Sequence, residues 1–505
     1  MKPLYTLIAV LLVITSCSKD MGNYDYTEVN TYEISEIRTG SGISRNYDAV
    51  LGQLLKIEPV IESADSTVKD NLSYWWIIEK DTVSTERNLN YEVNLPIGVH
   101  QSQFVMMDNH TGLTYKVGFA VNVTSPFGRG YFFLNEDEEH NTVLGFKGVS
   151  DEDAVFVNTY EIDGVRFGKY PMTMNGVKKY KTGPNDYSWQ VYLVSKEGEF
   201  PVIFADLTSY SPLKFFDQSA YMGVWSSEYE FKPTHVDLRS SGVTYFISNG
   251  RISFFDDFNL YRHSLLFDNT PDYELEDIII GDINRLSGIR SLIGFDKISS
   301  KFKIISPYPE SNPDKGIVYN NSLLDRVLEI ESEDGLFDGH KIAGAYSAYI
   351  GSTGLLNSKV FSIKGNTIHL SEFNSRYEAP YVPELNYLGS ETIEGLNEES
   401  SITIFEDVAG DAYVAAGNKV FKSSITTIGF GEFLNIDDSF GVITALKYQA
   451  TSINSNQPRL FIATYDENSS KELKGSILIY DVNTKKVIHE FKNVTNKVLE
   501  IFLGE

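Results

Sequence analysis

Cysteine is almost absent from this chain, since Cys17 is the single thiol among its 505 residues. Without a second thiol the chain forms no intramolecular disulfide and no multi-thiolate metal site. Basic residues are also scarce: 43 Lys and Arg stand against 69 Asp and Glu, and the formal net charge is −26 at pH 7. Phosphate backbones repel a chain of this charge, so the composition argues against a nucleic-acid partner.

Motifs of several enzyme classes are missing too. The eight histidines form no H-E-x-x-H pair, and the chain has no G-x-S-x-G elbow, no G-x-x-x-x-G-K phosphate loop and no dinucleotide fingerprint. The Asp-box repeats that mark sialidase propellers are also absent. We therefore expect no catalytic residues, although the two facing carboxylates of a glycosidase would leave no motif in a chain with 69 acidic residues.

Long hydrophobic runs are confined to the N-terminus. Residues 4–14 are apolar, Lys2 precedes them, and the residues at positions 14–17 are ITSC. This arrangement predicts a bacterial lipoprotein signal peptide over residues 1–17, in which the lipobox residue Cys17 is acylated and becomes the mature N-terminus. An ordinary signal peptide with a chance cysteine is the alternative. Acyl chains anchor a protein without crossing the bilayer, so we expect a lipid-anchored protein of the outer membrane.

Residues 18–26 are polar and predict a flexible tether between this anchor and the folded chain. The charged pair Lys19 and Asp20 follows the cysteine closely. It resembles a minimal form of the signal that exports lipoproteins to the outside of some Gram-negative cells. The expected location therefore faces the cell exterior.

The abundant residues indicate an all-β fold. The chain has 31 Tyr, 31 Phe and 38 Gly but 7 Met, a balance that favours aromatic-rich strands and tight turns. Between residues 27 and 125, short alternating runs are separated by turn residues, which predicts an immunoglobulin-like β-sandwich. Adjacent side chains of a strand point to opposite faces, so one of Trp75 and Trp76 should fill the sandwich core.

Several segments of this region resemble the PKD-like family of outer-membrane lipoproteins. They are GNYDY at 22–26, FVMMD at 104–108, TGLTY at 111–115 and GYFFLNE at 130–136. The resemblance implies a PKD/Ig-like β-sandwich. It also implies an accessory component encoded with a TonB-dependent importer of the SusC/SusD type, which takes up glycans or peptides.

Residues 126–505 show hairpins that recur every 50 to 70 residues or so, near the upper end of propeller-blade repeats. Their turns carry Gly and Asn, which accept left-handed backbone: SNG at 248–250, KGN at 364–366 and AGN at 416–418. The spacing predicts a β-propeller of about seven blades, closed by strands near 488–491 and 498–502. A tandem of β-sandwiches is the alternative, because it too has evenly spaced strands.

Candidate binding residues are exposed aromatics, whose faces suit sugars or peptides. Trp76, Trp189, Trp225 and the neighbourhood of Tyr210, Tyr221 and Tyr229 qualify, although most such rings should pack in cores. The acidic runs 135–139 and 151–153 have oxygen ligands for a structural Ca²⁺ ion, but without the ligand spacing of a calcium loop we expect solvated hairpin tips and no cofactor.

These observations favour a surface-anchored, non-enzymatic accessory lipoprotein of a SusC/SusD-type importer, which aids capture of glycans or peptides by binding the ligand or the transporter. An extracellular propeller glycosidase is the first alternative. An adhesin-like structural protein of the cell surface is the second.

Overall fold

The computed structural model describes most of the chain after residue 29. The described residues are 30–35, 46–64, 71–127, 130–148, 156–183, 186–216, 231–238, 243–256, 273–280, 292–305, 327–350, 355–374, 383–404, 410–450 and 458–504. They are almost entirely strand, with one short 3-10 turn at Asp438–Phe440. The chain forms two compact units, Met1–Thr124 and Ser125–Glu505.

The first unit is a β-sandwich of nine strands within the described residues. They are β1 (Tyr32–Ser35), β2 (Asn46–Val50), β3 (Leu54–Ile57), β4 (Val60–Ser63), β5 (Leu72–Ile78), β6 (Asp81–Ser84), β7 (Leu89–Glu92), β8 (Gly98–Asp108) and β9 (Thr114–Thr124). One sheet has the order β2-β9-β8-β5-β6, and the pairs β1-β4 and β3-β7 are separate. All these pairings are antiparallel except β2 with β9.

A tryptophan fills the core of this sandwich. The Trp76 ring is fully buried and lies 4.3 Å from the Phe104 ring and 5.8 Å from the Phe119 ring, measured between centroids. Its indole N–H donates to the Glu86 carbonyl at 2.9 Å, so its polar atom is satisfied inside the core. Trp75, on the opposite face of β5, is partly exposed. The strand alternation thus separates the two rings as predicted.

The second unit contains the remaining strands. They are β10 (Gly130–Glu136), β11 (Thr142–Gly148), β12 (Val157–Thr159), β13 (Glu161–Ile162), β14 (Val165–Arg166), β15 (Lys169–Gly183), β16 (Asp186–Glu197), β17 (Val202–Asp206), β18 (Ser211–Phe216), β19 (Pro233–Leu238), β20 (Val243–Ser248), β21 (Arg251–Asp256), β22 (Leu275–Ile280), β23 (Leu292–Asp296), β24 (Lys301–Ile305), β25 (Val327–Glu329), β26 (Lys341–Ile350), β27 (Leu355–Lys364), β28 (Thr367–Asn374), β29 (Glu384–Thr392), β30 (Ile402–Ile404), β31 (Asp411–Ala416), β32 (Lys419–Ser424), β33 (Gly431–Asn435), β34 (Val442–Gln449), β35 (Arg459–Tyr465), β36 (Gly475–Asp481), β37 (Lys486–Thr495) and β38 (Lys497–Gly504).

These strands form seven radial sheets, besides the β13-β14 hairpin, within the described residues. Blade 1 has the order β38-β10-β11-β12, and blades 2 to 7 are β15–β18, β19–β21, β22–β25, β26–β29, β30–β33 and β34–β37. The innermost strands contact one another in turn, from β38 through β15, β19, β22, β26, β30 and β34 back to β38. A ring of this kind is a β-propeller, which hides most of its sheet edges by radial repetition.

The C-terminal strand closes the ring. Strand β38 pairs antiparallel with β10, from Gly130 opposite Gly504 to Glu136 opposite Lys497, and becomes the innermost strand of blade 1. The predicted strand near 498–502 therefore does form the closure. The segment 488–491 does not, because it lies in β37, the outermost strand of blade 7.

Candidate functional site

One end of the propeller ring carries the candidate site. The register of the inner strands places the start of β38 beside the β10–β11 loop, and the start of β26 beside the β27–β28 turn. The predicted Gly and Asn turns lie at this end, with a φ of 51° at Asn249, 58° at Gly365 and 63° at Gly417. We call this end of the ring the mouth face, because the central channel opens here between the starts of the inner strands.

A cavity of about 420 Å³ opens at the mouth face where blades 5, 6, 7 and 1 meet. Its wall combines charged, polar and aliphatic groups: Lys341, Asn397, Glu399, Ser400, Ala415, Gly417, Val442, Ile443, Thr444, Lys497 and Leu499. Hydrogen bonds between blades 6 and 7 hold this wall. The hydroxyls of Ser401 and Thr403 accept from the backbone N–H groups of Leu446 and Tyr448, each at 3.0 Å.

Two lysines contribute positive charge to this cavity. Neither Lys341 nor Lys497 forms an ion pair within the part of the chain that the structure describes. The neighbouring carboxylate of Glu398 is bound elsewhere, since it accepts the Gly365 N–H at 2.7 Å. Backbone N–H groups, with a smaller contribution from Lys341, hold the pKa of Glu398 below its ordinary value. Lys341 thus acts on Glu398 without forming an ion pair, and among the described residues neither ammonium group of the cavity is held by a close carboxylate.

A carboxylate lies further along the channel-lining strand β38. The Glu500 carboxylate accepts the Thr173 hydroxyl at 3.0 Å and the Met174 backbone N–H at 2.8 Å, so it links blade 1 to blade 2. Burial raises the pKa of Glu500 above its ordinary value, and the two hydrogen bonds and the charges of Lys447 and His235 oppose this effect. A buried carboxyl group with a raised pKa is a recognised feature of functional sites.

An aromatic pair lies at the same end of the ring, with His140 in the β10–β11 loop and Tyr170 at the start of the inner strand β15. The His140 and Tyr170 rings stack at 4.8 Å between centroids with an interplanar angle of 21°. The Tyr170 ring is 37% exposed, and the Lys196 ammonium lies 6.0 Å from its centroid. We call His140 and Tyr170 the stacked pair.

The backbone of the stacked pair is strained. His140 and Tyr170 have φ values of 63° and 55°, a region that non-glycine residues avoid. The Tyr170 N–H donates to the His140 carbonyl at 2.7 Å and holds both residues there. Such conformations cost about 1 kcal/mol or more each and concentrate at ligand sites, where the surrounding structure enforces them.

The structure corrects two of the aromatic candidates. Trp76 is fully buried in the sandwich, and Trp189 is 5% exposed in the core between blades 1 and 2. Neither ring presents a face to a ligand, because each packs against neighbouring aromatic side chains. Tyr210 stacks on Phe127 at 5.7 Å and donates its hydroxyl to the Glu161 carbonyl. Trp225, Tyr221, Tyr229 and Cys17 lie outside the described residues.

Carboxylates of the acidic run 135–139 form hydrogen bonds and ion pairs with nearby residues of the protein. The Asp137 carboxylate accepts the N–H groups of Glu139 and Asn141, Glu136 contacts His140 at 2.8 Å, and Glu138 pairs with Lys474 at 2.5 Å. Among the described residues no group of three or more potential ligands is placed to hold a metal ion. The second acidic run, 151–153, lies outside them.

The residues of the mouth face gave no signal in the sequence. Thr173 and Glu500 are 327 positions apart, and Lys341 and Lys497 lie on strands of different blades. No local motif marks any of them, because closure of the ring brings them together.

Comparisons with known proteins agree with this architecture. A family described as the PKD-like family matches residues 17–171, which include the sandwich and the first strands of the second unit. No curated protein matches the chain by sequence. Among the described residues, no helix has the length and hydropathy needed to cross a bilayer.

Solved structures resemble the chain at low identity. A quinonprotein alcohol dehydrogenase-like protein from Bacteroides thetaiotaomicron is 12% identical, with a TM-score of 0.51, and the match covers 91% of this chain and 96% of that one. The N-terminal domain of Nup159 is 7% identical over 67% and 94% of the two chains, with a TM-score of 0.32. The first likeness shows the fold alone, a propeller-like arrangement of sheets. The PKD-like region rests on the family match.

Proposed function

We propose that this chain is a lipid-anchored surface protein that captures ligand at the mouth face of its propeller and serves a SusC/SusD-type TonB-dependent importer of glycans or peptides. One observation carries the proposal: a cavity of about 420 Å³ with polar and charged walls opens at the mouth face. Ligand sites combine a concave surface with a few convergent polar groups in this way.

The anchor in this proposal is Cys17. The match to the PKD-like family begins at that residue, which is where a mature lipoprotein would start. The importer role rests on the resemblance of residues 22–26 and 104–136 to accessory lipoproteins of such systems. A capture protein held beside a transporter raises the local concentration of ligand, which requires binding but no turnover.

The test of the importer role is co-purification. A tagged copy of the full chain is expressed in the producing bacterium, and outer membranes are solubilised in mild detergent. We expect a large outer-membrane β-barrel protein to co-purify with the tag, and to be lost with the Cys17→Ala variant, which is released from the membrane. Recovery of the wild-type chain without any such barrel would contradict the importer role.

A second candidate function, a propeller glycosidase, is favoured by Glu500 alone, because a general acid needs a raised pKa. The groups that act on this carboxylate in the described structure are a hydroxyl, an N–H group, Lys447 and His235 rather than the second carboxylate that glycoside hydrolysis requires. Incubation of the chain lacking residues 1–17 with a glycan panel tests this candidate. Product that forms above a heat-inactivated control and disappears with Glu500→Gln would establish it over the binding role.

A further inference from the structure

We propose that the cavity at the mouth face binds an acidic oligosaccharide, a glycan with a carboxylate on its sugar rings. This inference rests on the proposed capture function and names the ligand class that the same site takes. Its basis is the contrast between a chain with a net charge of −26 and a cavity with two lysines that form no ion pair among the described residues.

The lysines decide the charge of the ligand. Lys341 begins β26 of blade 5 and Lys497 begins β38 of blade 1, so they approach the cavity from different blades. The lining itself contains these two lysines and one carboxylate, Glu399, whereas Glu398 and Glu136 lie outside the lining. Unpaired ammonium groups in a concave site recognise a carboxylate through charge-assisted hydrogen bonds.

The neutral part of the lining suits a polyol. Asn397, Ser400 and Thr444 offer amide and hydroxyl groups that both donate and accept hydrogen bonds. Val442, which is 54% exposed, and Leu499 add aliphatic surface. Sugar rings present the same mixture of hydroxyls and C–H faces, whereas a purely anionic ligand would need no such neutral donors.

The stacked pair offers a second sugar position at the same end of the ring. Lys497 lines the cavity and stands opposite Glu136 in the β10–β38 register, and the Glu136 carboxylate lies 2.8 Å from the His140 imidazole. The stacked pair and the cavity therefore lie at the same end of the ring. An exposed aromatic face at the same end as a polar cavity can stack on a pyranose ring, which favours an oligosaccharide over an acidic peptide.

The experiment measures binding by titration calorimetry with the chain lacking residues 1–17. The probes are tetragalacturonate, neutral maltotetraose and a tetraglutamate peptide, each at low and at physiological salt. We expect tetragalacturonate to bind at least tenfold more tightly than either of the other probes, and its affinity to fall as salt rises because charges are screened. Equal binding of maltotetraose, tighter binding of tetraglutamate or no binding of tetragalacturonate would overturn the proposal.

Variants locate the site. Lys341→Gln combined with Lys497→Gln should weaken tetragalacturonate binding at least tenfold, and Tyr170→Asn, which keeps a residue that tolerates left-handed backbone, should weaken it severalfold. Lys116→Gln, an exposed lysine of the sandwich strand β9, is the matched control and should bind as wild type does. Unchanged melting temperatures show that the variants are folded.

The outcomes separate this inference from the proposed function. If the lysine pair is irrelevant to binding while an outer-membrane barrel still co-purifies, the ligand class is wrong and the importer role stands. If tetragalacturonate binds through both lysines but no barrel co-purifies, the ligand class stands without the importer.

Discussion

At the scale of single residues, a histidine pair of blade 5 shows how burial makes the fold sensitive to acid. The His340 and His369 rings lie 4.2 Å apart between centroids, and the His340 Nδ1 atom lies 2.9 Å from the Ser362 hydroxyl. Burial lowers the pKa of His340 from 6.5 to about 4, His369 and Lys364 add to this effect, and Asp338 opposes it. Burial and Lys364 also lower the pKa of His369.

The lowered pKa values predict a loss of stability in acid. The folded state favours the neutral imidazoles, so their contribution to stability is present above pH 6.5 and is lost as the pH falls through about 4. We expect the melting temperature of the His340→Gln variant, whose glutamine does not titrate, to fall less than that of wild type between pH 6.5 and about 4. Melting curves at several pH values check this, and parallel losses in the two proteins would contradict it.

A second residue-scale prediction concerns Gly176 on the inner strand β15. A Cβ atom at this position would lie 2.7 Å from the Phe502 ring of the closing strand β38, which is too close for any side chain. We expect Gly176→Ala to destabilise the second unit by about 1–3 kcal/mol, the usual cost of overpacking. Chemical denaturation of the purified chain measures this difference.

The matched control for Gly176 is Gly148→Ala in β11, where a Cβ atom would meet nothing within 4 Å. This substitution should change the free energy of unfolding by less than about 1 kcal/mol. Adding Phe502→Leu to Gly176→Ala should recover part of the lost stability, since the smaller side chain leaves space for the methyl group. Equal effects of the two alanine substitutions would show that the close approach to Phe502 is unimportant.

At the scale of elements, β38 matters more than its length suggests. It supplies the inner strand of blade 1, contacts the inner strands of blades 2 and 7, places Lys497 at the cavity and binds blade 2 through Glu500. Its side chains Val498 and Ile501 pack in the core between blades 1 and 7, and Phe502 packs toward blade 2. One strand thus joins blade 1 to both of its neighbours, blades 2 and 7.

Truncation after Asn496 removes β38 and tests the closure. Without it, β10 becomes an unpaired edge strand. The core between blades 1 and 7 and the core between blades 1 and 2 each lose side chains of β38. We expect the cooperative unfolding transition of the second unit to disappear or to fall by tens of degrees, as followed by calorimetry. A chain without the tether residues 18–26 is the control and should keep the transition. An unshifted transition in the truncated chain would mean that the stability of the ring does not depend on closure by β38.

At the scale of the whole molecule, the predicted lipid anchor would determine where the proposed ligand-binding face operates. Two or more acyl chains on Cys17 would hold the folded units at the membrane surface. We expect Cys17→Ala to appear in the soluble fraction or to remain unprocessed when cells are fractionated, whereas the wild-type chain sediments with the outer membrane. Ser18→Ala is the control and should behave as wild type. Co-sedimentation of Cys17→Ala with the outer membrane would contradict lipidation.

The sequence by itself determined the fold class and the order of its parts. Alternating polarity, abundant Tyr and Phe, and Gly and Asn at the turns are local signals, and local backbone preferences act wherever the strand lies. For this reason the sandwich, the propeller and the turns at 248–250, 364–366 and 416–418 were predicted without tertiary information. The role of the last strand was also accessible, because a closed ring needs a partner for its first strand.

Only the tertiary structure decided which side chains meet at the mouth face. Alternation places Trp75 and Trp76 on opposite faces, but packing decides that Trp76 is the buried one. Thr173 and Glu500, or Lys341 and Lys497, are neither near in sequence nor marked by their surroundings, and ring closure sets the distances between them. Burial and charge depend on those distances rather than on sequence spacing, so the raised pKa of Glu500 and the unpaired lysines of the cavity appear only in the folded chain.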